Sequence, residues 1–194
     1  MINWGILGLG RMGRTFANAI KETSNSKLIS IASKSENVFD SFKNDTYENV
    51  INNKEIDAIY ISSLNNTHAD LIKKTIQKKK FVLCEKPIAT NLNDLNSIVT
   101  LSKKKNYLYE AIAYYSHPQT LEIINLIKNN EIGEIKRIEC NFGFKAKFKS
   151  SSRLFNKSLG GGAIFDLGCY PISFFMLFCK DTKRIVFEKK NLTY

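Results

Sequence analysis

The chain has 194 residues and a formal net charge of +11, and hydrophobic residues make up 43% of it, enough for a globular core. The positive charge comes mostly from lysine without interleaved aromatic residues, so we expect no nucleic-acid partner. The four cysteines form no CxxC pair and no zinc spacing, which predicts reduced thiols in a cytoplasmic protein and no bound metal.

The first thirteen residues predict a dinucleotide-binding turn. An apolar run over 2–7 leads directly into Gly8-x-Gly10-x-x-Gly13, and a helical pattern follows. Gly8 would permit the sharp turn, Gly10 would leave room for a pyrophosphate, and Gly13 would let the helix lie close to the strand. The N–H groups at the start of the helix would bind the phosphates. The flanking strand and helix disfavour the alternative, a plain glycine turn.

Strands and helices alternate through the first two thirds of the chain. Strands are predicted over 3–7, 27–32, 58–61, 81–84 and 107–111, and helices over 11–23, 46–53, 67–79 and 92–105. This alternation predicts an α/β fold, a Rossmann-type doubly wound parallel sheet with helices on both faces.

A second domain is expected after Pro118, because the residue before a proline is disfavoured in helical geometry. We therefore divide the chain into a dinucleotide-binding domain over 1–118 and a partial α+β domain over 119–194. Within the second domain, the predicted elements are helices over 121–129 and after the glycines at 160–162, and strands over 134–148 and 184–188. Two strands make a poor domain alone, so we expect this domain to be incomplete.

No membrane segment is expected. The most apolar stretch, over 163–179, carries Asp166 and Pro171 and is short for a bilayer span. The chain starts directly in a predicted strand, which leaves no room for a signal peptide.

Four motifs resemble one known family. They are GILGLGRMG at 5–13, DAIYISSLNNTH at 57–68, VLCEKP at 82–87 and GGGAIFDLGCYP at 160–171. Together they resemble the Gfo/Idh/MocA oxidoreductases, which include glucose–fructose oxidoreductase and inositol dehydrogenase. The resemblance implies an NAD(P)-dependent enzyme that moves a hydride between nicotinamide and a sugar, polyol or dihydrodiol-like substrate.

The resemblance implies catalytic roles for Lys86, Asp166 and Tyr170. Lys86 follows a buried strand, at the sheet edge where open α/β folds bind ligands, and in the family it reaches the substrate hydroxyl and the nicotinamide ribose. The bond from Lys86 to Pro87 is expected to be cis, as in the family. Asp166 and Tyr170 lie four apart on one helix face, so the phenol would exchange a proton while Asp166 orients the substrate. The lysine charge would lower the pKa of the phenol.

NADP is favoured over NAD by the end of the second strand. Ser33 and Lys34 stand about 20 residues past the glycines, where NAD-dependent enzymes place an acid on the ribose 2′-OH. The nearest acid is Glu36, and a serine with a cation suits a 2′-phosphate. The resemblance adds cofactor contacts from the first three motifs, for a predicted set of Gly8, Gly10, Arg11, Met12, Gly13, Ser33, Lys34, Ser63, Asn65, His68, Glu85 and Lys86.

The sequence departs from the family in two positions and in length. Leu64 stands where proline is usual, and Tyr115 or Ser116 stands where arginine is common. Family members continue with an open sheet that shields the substrate and builds a homo-oligomer, so we expect this chain to hold only the first part of that domain. A gene fragment, an interrupted reading frame and a shortened member all stay open. The alternative function is a non-catalytic NADP-binding sensor or an inactive remnant of such an enzyme.

Overall fold

The computed structural model describes residues 1–34, 39–103 and 107–178. Its strands are β1 (Ile2–Leu7), β2 (Ser26–Ala32), β3 (Asn44–Asp45), β4 (Ala58–Ile61), β5 (Phe81–Cys84) and β6 (Leu108–Glu110). They form one sheet in the order β3-β2-β1-β4-β5-β6, and each neighbouring pair is parallel. The predicted doubly wound sheet is confirmed. Its strand order reverses between β1 and β4, and a ligand crevice is expected at the carboxyl ends of strands at such a point.

Helices connect the strands close to the predicted positions. They are α1 (Arg11–Lys21), α2 (Tyr47–Asn52), α3 (His68–Gln77), α4 (Leu92–Ser102), α5 (Pro118–Lys128) and α6 (Cys169–Phe178). Only β3 was not predicted in this part of the fold, because an edge strand of two residues carries no readable alternation.

The core lies on both faces of the central strands. Leu7, Ile59 and Ile61 pack with α2, α3 and α4 on one face, whereas Ile6 and Tyr60 pack with α1 on the other. Successive strand residues point to opposite faces, so a strand covered on both sides reads as a continuous apolar run. This explains why the runs that end β1 and β4 are uninterrupted.

The segment after α5 differs from the prediction. Residues 134–148 form no strand ladder within the described part of the chain, so the strand predicted there is wrong. The apolar alternation in this segment is genuine, because Phe144 follows Phe142 by two residues and Phe148 follows Phe144 by four. All three side chains are exposed. A strand also needs a neighbour for its backbone groups, which alternation alone does not supply. The strand predicted over 184–188 and Glu36 lie outside the described residues.

One stretch of the described chain is long and apolar enough to cross a membrane. Lys157–Phe178 has 22 residues and a mean hydropathy of 1.4. The stretch over 163–179, which the sequence predicts to be too short for a bilayer span, is shorter. The core helix of a globular protein can be as long and as apolar, but only 6% of the 18-residue window that gives this hydropathy is buried. The stretch is not one continuous α-helix, because Gly160 has a φ of 76° and a π-helical turn (Ile164–Gly168) precedes α6. Asp166 in this turn is ion-paired with Lys86, which ties the stretch to the sheet.

Candidate active site

The glycine turn between β1 and α1 is tightly packed. Gly8 has a φ of 101°, and a Cβ there would lie 2.7 Å from the backbone of Ser62. A Cβ on Gly13 would lie 2.2 Å from the Gly8 carbonyl oxygen, which also accepts a hydrogen bond of 2.7 Å from Ser62 Oγ. Only glycine fits at either position without a shift of the backbone.

Gly10 instead borders open space at the start of α1. A Cβ on Gly10 would meet no atom within 4 Å. No side chain caps α1 and no acid stands in its first turn, so its leading N–H groups and the positive end of its dipole face this space. Such a helix start binds phosphate, and the residues present therefore fit the pyrophosphate of a dinucleotide.

Ser33 and Lys34 lie at the same edge of the sheet, just past β2. The side chain of Asn44 accepts a hydrogen bond of 2.7 Å from the Ser33 N–H and donates one of 2.8 Å to the Ser33 carbonyl. Lys34 is exposed. Asn44 thus fixes the backbone at which the 2′-phosphate contact is predicted, and the contact itself stays a prediction.

The loop after β5 is anchored by the buried Tyr60 and the half-buried Glu110. The Tyr60 hydroxyl donates a hydrogen bond of 2.5 Å to Glu85 Oε1, and Glu110 Oε1 accepts one of 3.2 Å from the Ile88 N–H. Burial raises the pKa of Glu110, while the Ile88 hydrogen bond and the charge of Lys86 act in the opposite direction. Burial and the bond to Glu85 likewise raise the pKa of Tyr60.

Lys86, Asp166 and Tyr170 come together as predicted. Lys86 Nζ lies 3.4 Å from Asp166 Oδ1, donates to the Asp166 carbonyl, and lies 5.1 Å from the centroid of the Tyr170 ring. The two charged side chains are only 12% and 14% exposed. The peptide bond between Lys86 and Pro87 is cis, as the resemblance implied.

The pKa of Tyr170 runs against the prediction. Burial is the main cause that raises it above the ordinary value of 10.0, and the nearby acidic groups raise it further. The expected lowering by Lys86 is therefore wrong, because the ammonium is directed at Asp166. At neutral pH the phenol keeps its proton.

His68 does not reach the crevice, contrary to its predicted cofactor contact. Its side chain is 0% exposed, and its ring nitrogens lie 2.8 Å from the Pro87 carbonyl oxygen and 3.2 Å from that of Ser63. Burial lowers the pKa of this imidazole. The family motif identified the residue but not its direction, since a motif does not say which side of a helix start faces the ligand.

Part of the Asn65 side chain is also engaged in a hydrogen bond within the protein. Its side-chain amide donates a hydrogen bond of 2.9 Å to the Gly160 carbonyl. Its amide oxygen is the group left to meet a ligand, so its predicted cofactor contact stays a prediction. Ser63 Oγ lies 2.7 Å from Thr67 Oγ1 at the start of α3.

Sequence reasoning missed Arg153 and Tyr114. Arg153 Nη1 lies 3.2 Å from Asp166 Oδ1, so this carboxylate contacts two cations. The Tyr114 hydroxyl lies 2.7 Å from Ser173 Oγ, and its ring centroid lies 6.5 Å from that of Tyr170. Arg153 belongs to no motif or periodic segment. Tyr114 lies in the 110–118 segment that contains Tyr115 and Ser116, but at a position where the family pattern specifies no residue type, so the sequence held no signal for either long-range contact.

The predicted site residues otherwise gather at one edge of the sheet. The residues at the carboxyl ends of the strands or at the helix starts beside them are Gly8, Gly10, Arg11, Met12, Gly13, Ser33, Lys34, Ser63, Asn65, Glu85 and Lys86. Within residues 1–34, 39–103 and 107–178, no three His, Cys, Asp or Glu side chains are grouped so as to hold a metal ion.

The strand order, the glycine turn and the crevice beside it define a Rossmann-type dinucleotide-binding protein. Comparison with known families agrees: residues 2–114 match the oxidoreductase family with an NAD-binding Rossmann fold, and residues 120–193 match the GFO/IDH/MocA C-terminal domain. The chain belongs to the Gfo/Idh/MocA oxidoreductase family.

The chain spans little more than half the length of the curated relatives that it matches. A trans-1,2-dihydrobenzene-1,2-diol dehydrogenase of Xenopus laevis is 30% identical over 182 residues, which cover 88% of this chain and 54% of the relative. D-xylose 1-dehydrogenase (NADP(+)) 2 of Haloferax volcanii is 26% identical, with 94% and 58% covered. Among solved structures, KijD10, a 3-ketoreductase from Actinomadura kijaniata in complex with NADP and TDP-benzene, shares the fold with a TM-score of 0.80 at 24% identity, covering 91% and 57%.

Proposed function

We propose that this protein is an NADP-dependent oxidoreductase that transfers a hydride between nicotinamide and a sugar, polyol or dihydrodiol-like substrate. The observation that carries the proposal is the cluster of Lys86, Asp166 and Tyr170 at the edge of the sheet that also holds the glycine turn. A cation, a carboxylate and a phenol at a dinucleotide crevice are the groups that carbonyl–alcohol interconversion needs.

The side chains divide the work in the direction of carbonyl reduction. When bound, the nicotinamide would supply the hydride, which is the chemistry of that cofactor. Tyr170 holds its proton at neutral pH and so donates it to the substrate oxygen, which becomes the hydroxyl. Lys86 stabilises the negative charge that develops on that oxygen, and Asp166 accepts a hydrogen bond from a neighbouring substrate hydroxyl.

The preference for NADP rests on the end of β2. Ser33 and the exposed Lys34 offer a hydroxyl and a cation at the place where a 2′-phosphate would lie. The name of the xylose dehydrogenase relative and the NADP bound to KijD10 support the same cofactor. The names of the relatives also support a small hydroxylated substrate. A domain boundary at residue 118, a cytoplasmic location and a homo-oligomer belong to the same proposal.

A second candidate function is an NADP-binding sensor without catalysis. It is favoured by the exposure of Phe142, whose ring centroid lies 5.1 Å from that of Tyr170, because such a residue would be covered in a site that excludes water. The glycine turn is intact in both readings, whereas the catalytic cluster is required only by the enzyme.

Two measurements separate the candidates. The first is titration of the chain with NADPH, followed by the fluorescence of the nicotinamide. The second is turnover with NADP⁺ or NADPH across aldoses, inositols, dihydrodiols and the corresponding carbonyl compounds, on this chain and on a full-length homologue. Binding with turnover supports the enzyme, binding without turnover supports the sensor, and absence of binding contradicts both.

A further inference from the structure

His68 connects the two loops that border the proposed nicotinamide site. Its ring stands between the Pro87 carbonyl in the loop after β5 and the Ser63 carbonyl in the loop after β4. The side chain is fully buried and has no access to a ligand. The proposed chemistry does not use this imidazole, so its position between the two loop carbonyls needs another explanation.

The two hydrogen-bond distances indicate which ring nitrogen is the better placed donor. A neutral imidazole carries one N–H and can donate to only one of two carbonyl oxygens. The Pro87 oxygen lies at 2.8 Å from Nδ1 and the Ser63 oxygen at 3.2 Å from Nε2. The shorter distance favours Nδ1 as the donor to Pro87, with the lone pair of Nε2 toward Ser63.

We infer that His68 is a positioning residue for Lys86: by holding the Pro87 carbonyl, its Nδ1–H fixes the backbone that directs the ammonium toward Asp166. The inference rests on the proposed function for its catalytic meaning. The hydrogen bond between His68 and the Pro87 carbonyl does not depend on that function. Pro87 is the next residue after Lys86 and lacks an N–H of its own, so its carbonyl is the group by which the loop can be held at this point.

Three substitutions separate this role from simple filling of the core. Asn places an amide nitrogen where Nδ1 stands, so His68→Asn can still donate to Pro87. Gln places its amide nitrogen near Nε2, so His68→Gln can donate to Ser63 instead. His68→Leu keeps an apolar volume and donates to neither carbonyl. His117→Gln is the matched control, because His117 is the only other histidine of the chain and is exposed.

The first measurement is the tautomer, read from ¹⁵N shifts of the two histidine rings at a pH of about 8, above the ordinary histidine pKa of about 6.5. We expect His68 to carry its proton on Nδ1. His117 Nδ1 accepts a hydrogen bond of 3.2 Å from the Gln119 N–H, so that ring should carry its proton on Nε2 and serve as the internal reference. A proton on Nε2 of His68 overturns the inference.

The second measurement is hydrogen exchange of the backbone amides of Glu85 and Ile88, which donate to the Ile61 carbonyl and to Glu110 Oε1. His68→Leu and His68→Gln should speed this exchange about tenfold, as local opening of a loop does, whereas His68→Asn and His117→Gln should leave it near the wild-type rate. Thermal unfolding of each variant checks that the fold persists, and the amides of α4 report any general loosening. Equal exchange in His68→Asn and His68→Leu overturns the inference.

The third measurement applies if turnover is found. His68→Leu should lower kcat about tenfold with an unchanged KM for NADPH, and His68→Asn should restore it. A rise in the KM for NADPH alone contradicts a role through Lys86. If NADPH does not bind the wild type while the tautomer and exchange results hold, the proposed function fails and the tie between His68 and Pro87 stands.

Discussion

Lys86 and Asp166 are 80 residues apart in the chain, yet their charged atoms lie 3.4 Å apart at the carboxyl edge of the sheet. Lys86 lies in the part that matches the Rossmann family model and Asp166 in the part that matches the C-terminal model. The candidate site is therefore formed between the two parts, while the glycine turn belongs wholly to the first. Dinucleotide binding and chemistry can be tested separately.

Gly10→Val should abolish NADPH binding and leave the fold intact. A side chain at residue 10 meets no protein atom within 4 Å, so it would fill only the space proposed for the pyrophosphate. The cost in unfolding free energy should be at most about 1 kcal/mol, from a poorer helix cap. Fluorescence titration and thermal unfolding measure both effects.

Gly13→Ala is the comparison for that variant. Its Cβ would lie 2.2 Å from the Gly8 carbonyl, so it should lower the melting temperature more than Gly10→Val does. Equal NADPH affinity in the wild type and Gly10→Val would show that the turn does not hold the pyrophosphate.

Ser33→Asp should shift the cofactor preference from NADPH toward NADH. The new carboxylate would repel a 2′-phosphate and accept a hydrogen bond from a ribose 2′-OH. We expect the ratio of the two dissociation constants to change by tenfold or more, which corresponds to about 1.4 kcal/mol. Lys34→Ala is the matched variant and should weaken NADPH without affecting NADH. A wild type that binds NADH more tightly than NADPH would refute the assignment.

Lys86→Ala and Tyr170→Phe should each lower kcat by about 10²–10⁴-fold with little change in NADPH affinity, the usual cost of losing a positioned acid–base group. Because the two side chains act on one substrate oxygen, the double variant should be scarcely slower than either single one. Steady-state kinetics and NADPH titration of all three variants check this. Nearly wild-type kcat in Tyr170→Phe would remove the phenol from the mechanism.

The rate of carbonyl reduction should be flat with pH up to about 10, the ordinary tyrosine value, and fall only above it. Burial raises the pKa of Tyr170, so the proton that it donates is retained through the neutral range and lost at high pH. A plot of kcat against pH should show this fall at high pH in the wild type, and the fall should be absent in Tyr170→Phe. A fall in rate between neutral pH and about 8 would assign the acid to another group.

Stability should decrease as the pH falls below about 6.5. Burial lowers the pKa of His68 in the folded protein, so the unfolded chain takes up a proton that the folded chain refuses. Unfolded protein then binds more protons, and the free energy of unfolding falls with decreasing pH by up to about 1.4 kcal/mol per unit until the folded-state pKa is reached.

Denaturant unfolding at several pH values measures that slope. His68→Asn should flatten it just below a pH of about 6.5, where the unfolded chain takes up the proton that the buried imidazole refuses. A wild-type slope that survives in His68→Asn would assign the proton uptake to carboxylates instead.

Local signals in the sequence predicted most of the fold. The alternation of apolar runs with helical spacing and the glycines at 8, 10 and 13 act within a few residues, so β1, α1, β4 and β5 were found nearly at their observed bounds. Lys86, Asp166 and Tyr170 were predicted because they lie in motifs that resemble the family. Arg153 and the buried orientation of His68 depend on which segments meet in space, and no local pattern contains that information.

The two parts of the chain meet through a polar seam. Asn65 and Asn66 donate to the carbonyls of Gly160 and Ser158 at 2.9 and 3.0 Å, and the Tyr115 hydroxyl donates to the Ser173 carbonyl at 3.1 Å. Water can replace each of these partners when the seam parts, so each bond adds only about 1 kcal/mol to closure. All three acceptors are backbone carbonyls, so these bonds fix the backbone of the second part rather than any one of its side chains.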